Sequence, residues 1–219
     1  MITSFFRSRG AKPVVFSLCL LPLLFLIWRA YAGDLGANPV ETITVVTGDW
    51  TLRFLLLTLA LSPLMQWFRW PVLIRFRRML GLYVFFYACC HFSIWLIADH
   101  EFDLSTVWED IVERPYITLG FSALVLLLPL ALTSNQMMIR YLGKSWKKLQ
   151  RLTYAIVVLG VLHFLWLVKA DYLEPGIYAA IAALLILQRL NIRRLIPERW
   201  NEPRLATQSR KPERPVTDQ

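Results

Sequence analysis

The sequence is short of nearly everything by which a soluble enzyme is recognised. It has no GxGxxG dinucleotide fingerprint, no P-loop, no HExxH and no nucleophile motif, so nucleotide, zinc-protease and hydrolase chemistry have no carrier in it. Charged residues make up only 18% of the chain against 57% hydrophobic ones, and the mean hydropathy of +0.48 is too high for a soluble domain. Cysteine is scarce as well. Cys19, Cys89 and Cys90 fall in apolar runs, without the CxxC or CxxCH spacing of a zinc site, a redox pair or a covalent haem, and read as small helix-packing residues. Histidine occurs three times, as His91, His100 and His163.

What the chain does have is a series of long apolar runs: Val14–Trp28, Thr51–Trp67, Leu80–Ala98, Tyr116–Leu132, Leu152–Val168 and Ile177–Leu190. Each is about as long as a membrane-crossing helix. The first is followed by Ala30-Tyr31-Ala32, which imitates a signal-peptidase site, but Arg29 just before it and the interface anchors Trp28 and Tyr31 favour a retained helix. The stretch GDLGANPVETITVVTGDW, residues 33–50, has no basic residue and reads as an outer loop.

Loop charges set the orientation. FRWPVLIRFRR carries Arg69, Arg75, Arg77 and Arg78 and no acid, whereas DHEFDLSTVWEDIVE carries six acids and neither Lys nor Arg. RYLGKSWKKLQR is again basic, so the basic loops fall on one side, the cytoplasmic one. The net charge of +9 is thus an orientation signal and not a nucleic-acid patch. The expected fold is an all-α integral membrane protein, a six-transmembrane-helix bundle with both termini cytoplasmic. Residues 1–12 form a cytoplasmic N-terminus, 13–190 the bundle, and 191–219 a basic, solvated and disordered tail too short for a nucleotide-binding domain. Within the acidic loop, Leu104, Val107, Trp108, Ile111 and Val112 recur at helical spacing behind Asp103 or Ser105 as a cap, which predicts a short helix on the outer membrane surface. Its acidic face is either solvated or receives an external partner.

An imidazole in hydrocarbon is costly unless it is hydrogen-bonded, lines a water path or binds a metal. His91 lies twelve residues from Met79 and His163 eleven from Leu152, which puts both roughly 16–18 Å into a core about 30 Å thick. A level pair of imidazoles suits the two axial positions of a haem, held without covalent attachment as a b-type haem. The other reading is a pair of histidines bonded to backbone or hydroxyls between helices. Arg53, just inside the outer end of the second run, either snorkels to the interface or pairs with a haem propionate. Two rival functions stay open. One is a ferric reductase or quinol-linked cytochrome b; the other is a small transporter or scaffold without haem.

Six stretches together carry a family resemblance: GDLGANPV at 33–40, RFRRMLGLY at 75–83, ACCHFS around His91, RPYITLG at 114–120, LGKSWKKLQRLTY at 142–154 and LHFLW at 162–166. Over roughly residues 12–195 the chain resembles the MsrQ (YedZ) family, the haem-binding membrane subunits of the periplasmic protein-methionine-sulfoxide reductase system, within the ferric-reductase-like transmembrane superfamily. The resemblance implies a multi-pass protein of the bacterial inner membrane, embedded in lipid, which transfers electrons and is not itself the catalytic subunit. Electrons from a cytoplasmic flavin reductase or the quinol pool would cross through haem b to a periplasmic molybdopterin subunit of the MsrP type. It also implies FMN, and it matches His91 and His163 to the ligands of the outer haem. Where the family carries a further histidine before the fifth span this chain has Gln150, so one firmly bound haem is expected. Arg75, Arg77, Arg78 and Gln150 are candidates for propionate, flavin or inner-site contacts.

Overall fold

A computed structural model describes Ser8 and residues 10–195. The N-terminal Arg7 and Arg9 and the expected tail from residue 196 lie outside the described residues. The chain runs through α1 (Ala11–Tyr31), α2 (Pro39–Trp67), a 3-10 turn (Pro71–Phe76), α3 (Arg77–Ala98), α4 (Leu104–Glu113), α5 (Pro115–Leu132), α6 (Gln136–Leu142), α7 (Lys144–Leu149), α8 (Leu152–Leu167) and α9 (Leu173–Leu195), with no strand among the described residues. Five helices are long and apolar enough to cross a membrane: α1, α2, the segment 71–98, α5, and the segment 144–167. The expected sixth span is also helical, but α9 starts at Leu173 with Glu174 in its first turn and carries Arg189, Arg193 and Arg194 towards its other end.

The first correction to the sequence reading is the outer loop at 33–50. Helix α2 begins at Pro39, twelve residues before the expected Thr51. The local chemistry explains it. The Asn38 side chain accepts a hydrogen bond from the Glu41 amide, Pro39 presets the helical φ at the first position, and Glu41 places a carboxylate in the first turn. Thr44, Thr47 and Thr51 return their hydroxyls to carbonyls one turn back, which hides their polarity inside the helix. The second correction is the basic loop after α5. It folds as α6, capped by Asn135 on the Met138 amide, and α7, separated by Gly143 at φ +49.

Helix α1 is fastened by two tyrosines of α3. Tyr83 donates its hydroxyl to the Phe16 carbonyl at 2.9 Å. The Tyr87 hydroxyl donates to the Cys19 carbonyl at 2.9 Å and accepts from the Leu23 amide at 3.2 Å, so it enters the helical ladder beside Pro22. Proline opens a helix there, and the inserted hydroxyl serves both backbone groups. Leu18, Leu21, Leu24 and Phe25 on the same helix are each more than half exposed. In water that surface would aggregate; against lipid tails it is the expected exterior.

The interior is built by α2, α3, α5 and α8, through Leu52, Leu55, Leu59, Val84, Leu127, Ile156 and Val157, all nearly sealed from solvent. The short helix α4 forms where expected, with Asp103 as its cap, and lays Val107 and Ile111 inward.

Candidate functional site: two cavities in one bundle

The four core helices enclose two cavities. The larger, about 870 Å³, opens towards the acidic loops and is lined by both intramembrane histidines. The rings of His91 and His163 are 6.2 Å apart between centres with their planes at 84°. The level placement expected from counting along the helices is therefore found.

Each imidazole is held in the same way. His91 Nδ1 donates to the Thr44 carbonyl at 2.9 Å, and His163 Nδ1 donates to the Tyr116 carbonyl at 2.7 Å. A carbonyl oxygen can only accept, so in the neutral ring the proton sits on Nδ1 and the lone pair on Nε2. Four residues after each carbonyl stands a glycine, Gly48 and Gly120. A Cβ at Gly48 would lie 3.1 Å from the His91 ring, and one at Gly120 would lie 2.9 Å from His163 Nδ1. The glycines are thus notches into which the imidazoles fit. In both cases the carbonyl precedes its histidine by 47 residues, so the pattern of carbonyl, notch and histidine occurs twice at one spacing.

The residues present fit a haem. The cavity volume falls in the range of cofactor sites, about 300–1,000 Å³, and its walls are mainly apolar, with Phe92 and Phe121 on the lining in tilted contact, 5.9 Å between ring centres. A ring separation of 6.2 Å suits two imidazoles on one metal, since each metal–nitrogen bond takes about 2 Å. At the mouth, His100 is packed against Trp95 at 4.4 Å with Nδ1 on the Thr106 hydroxyl at 3.1 Å. Its Nε2 is 3.3 Å from Asp110, near enough for an ion pair but not aligned as a hydrogen bond. Asp110 also pairs with Arg114 at 3.0 Å. The Tyr116 hydroxyl and Asp110 together hold the Arg114 guanidinium more firmly protonated than usual.

The smaller cavity, about 610 Å³, lies at the basic end. Arg77, Arg78, Lys147, Arg151 and Arg189 line it, with no carboxylate on its lining among the described residues. Arg189 donates to the Tyr154 hydroxyl at 3.0 Å. Gln150 also lines it, with Nε2 buried and without an acceptor among the described residues. Leu55 and Leu127 line both cavities and form the partition between them.

Of the cationic residues singled out in the sequence, Arg77 and Arg78 thus meet Gln150 at the inner cavity. Arg75 stands elsewhere, over the Phe76 ring at 5.4 Å. Arg53 reaches across to α9, donating to the Tyr178 hydroxyl at 2.8 Å and pairing with Asp49 at 3.1 Å and Glu174 at 3.8 Å, with Trp50 beneath it at 5.2 Å. The sequence reading missed the notches and their carbonyls. The repeated Gly-to-His spacing is the signal that would have exposed them.

Comparison with known proteins agrees with this geometry. Residues 47–161, just over half of the chain, match the family model described as ferric reductase like transmembrane component. A protein of Herminiimonas arsenicoxydans named protein-methionine-sulfoxide reductase heme-binding subunit MsrQ is 50% identical over 182 residues, covering 82% of this chain and 84% of the relative. Its namesake in Rhodospirillum rubrum is 49% identical over 185 residues, covering 84% and 89%. That of Xanthomonas euvesicatoria is 45% identical over 204 residues, covering 89% and 94%. No solved structure matches the chain. With the histidine-lined membrane bundle on one side and these relatives on the other, the chain belongs to the ferric-reductase-like transmembrane family and, within it, to the MsrQ heme-binding subunits of protein-methionine-sulfoxide reductase.

Proposed function

We propose that this protein is a transmembrane electron-transfer subunit that holds one b-type haem between His91 and His163, on the periplasmic side of the bacterial inner membrane. The observation that carries this reading is the pair of imidazoles with Nδ1 bonded to backbone carbonyls, which keeps both Nε2 lone pairs for iron. When bound, the haem supplies one-electron iron redox chemistry. The chain's residues do the rest. Thr44 and Tyr116 fix the ring tautomers, Gly48 and Gly120 let the rings seat, and Phe92 and Phe121 keep the walls apolar. With no CxxCH in the sequence, the haem is bound without thioether links.

Orientation follows the charges: the acidic loops face the periplasm and the basic loops the cytoplasm, with six spans and both termini inside. Electrons enter at the basic end, from a cytoplasmic flavin reductase or from quinol, and leave at the acidic end to a molybdopterin catalytic subunit of the MsrP type that reduces methionine sulfoxide. The inner cavity offers Arg77, Arg78 and the unpaired Gln150 amide to an FMN, whose phosphate and ring carbonyls are acceptors.

The test is a reduced-minus-oxidised spectrum of the purified protein, with the haem-to-protein ratio measured by pyridine haemochrome. One haem per chain is expected, and its low-spin bands should vanish in His91→Ala and in His163→Ala. A normal low-spin spectrum in either variant would end the assignment.

A further inference from the structure

Of the fifteen acidic residues in the chain, the eleven that precede residue 196 all lie at the end where the larger cavity opens, accompanied there by only four bases, Arg29, Arg53, Arg114 and Lys169. Six of the eleven fall between Asp99 and Glu113, in and around α4. That helix has two apolar faces. Val107 and Ile111, each 8% exposed, close against the bundle. Leu104, Trp108 and Val112, spaced one turn apart, point away from it and are 74%, 67% and 62% exposed. Exposed Glu109 and Glu113 flank this stripe, and Asp103 caps it.

An exposed apolar stripe on a membrane protein has two candidate occupants, lipid headgroups or a protein. Helices that lie in the interface hold anionic lipid through Lys and Arg on their polar face. Between Leu104 and Glu113, α4 has neither; its charged groups are all carboxylates, which anionic headgroups repel. Its position also argues for a protein. Thr106 and Asp110 on the edge of α4, together with Arg114 just after it, line the histidine cavity, so a protein seated on α4 sits against the wall of that cavity. Electron-transfer encounters need little contact, commonly under about 1,200 Å², which a ten-residue helix and its flanking loop ends can supply.

We propose that the stripe Leu104, Trp108 and Val112 with its rim Asp103, Glu109 and Glu113 is the docking surface for the catalytic subunit, and that this partner presents an apolar patch ringed by Lys and Arg. The proposal rests on the electron-transfer reading above for the partner's identity. The acidic rim steers the encounter, and Trp108 fills a pocket on the partner as the central anchor.

The experiment uses the full-length, haem-loaded protein in lipid nanodiscs and the purified catalytic subunit. Binding is measured by interferometry over a salt series for the wild type, for Trp108→Ala and for the pair Glu109→Lys with Glu113→Lys, all on exposed positions. Each variant should weaken binding by about tenfold or more, and wild-type binding should fall as salt rises. Under anaerobic conditions, reoxidation of the dithionite-reduced protein by the catalytic subunit should slow in parallel, whereas reoxidation by duroquinone, a neutral acceptor, and the haem absorbance should stay at wild-type values. If the wild type carries no haem, the electron-transfer reading fails, and the binding series still judges the docking surface. Binding of both variants within twofold of wild type would overturn the proposal. So would a Trp108 contribution to quenching by brominated lipid, taken as the difference between the wild type and Trp108→Phe, that is equally strong with and without saturating catalytic subunit, since that places the stripe in the membrane.

Discussion

The two cavities share the walls of α2, α3, α5 and α8 and differ in the residues that line their ends. The outer one has a pair of imidazoles, each with one nitrogen tied to a backbone carbonyl and a glycine notch behind it. Among the described residues, the inner one has five cations, no imidazole and a glutamine whose amide nitrogen lacks an acceptor. The inner space thus has room beside its cations but, among the described residues, no imidazole that could tie iron there. Space comes from which large side chains are absent; ligation comes from one residue type at one position.

The sharpest way to break this contrast is Gln150→His. If the inner space lacks only its ligand, the haem-to-protein ratio should rise from one towards two after saturation with haem, because imidazole binds iron where an amide does not. A wild-type ratio already near two would erase the distinction between the cavities.

A smaller effect should separate the two notches of the outer cavity. A methyl at Gly120 would meet His163 at 2.9 Å and one at Gly48 would meet His91 at 3.1 Å, so the first must push its ring aside and the second needs only a slight adjustment. Gly120→Ala should lower haem affinity by about 10–100-fold, in the range of lost support behind a metal ligand, and Gly48→Ala by less. Titration of the haem-free variants with haemin gives the order; the reverse order would mean that the notches do not seat the rings.

The smallest effect lies at the mouth, where the Ser105 hydroxyl and amide hold the Asp103 carboxyl below the usual carboxylate range. A depressed folded value means the cap's contribution is present above the ordinary carboxylate pKa and is lost as pH falls through the depressed one. Protection of the α4 amides, taken as the intrinsic exchange rate divided by the observed rate at the same pH, should therefore fall at acid pH in the wild type, and should be low at every pH over that range in Asp103→Ala. Unchanged protection of the Ser105 amide in the variant would remove the cap from the account.

Five of the six expected spans and the approach of His91 to His163 were legible because they depend on quantities a sequence carries directly: the length of an apolar run, and a depth counted along it. The start of α2 was not. Thr44, Gly48 and Asp49 read as loop residues, yet Asn38 and Pro39 start a helix whose threonines hide their hydroxyls in its own ladder. The cost of that error was functional, because the misread turns hold the carbonyl and the notch that seat His91. Arg53 illustrates a different limit. Its place near the outer end could be read, but its partners Tyr178 and Glu174 are more than a hundred residues away in sequence, brought to it only by the packing of α9.

The partition of Leu55 and Leu127 also acts as insulation. Both side chains are nearly sealed from solvent and purely hydrocarbon, so neither offers a group to which a water or an ion could bind. Electrons can tunnel through a thin hydrocarbon wall, whereas protons need a chain of hydrogen bonds. On the electron-transfer reading proposed above, such a wall passes electrons while giving protons no foothold, so that the membrane potential, worth about 2.3 kcal/mol per elementary charge for every 100 mV, is kept.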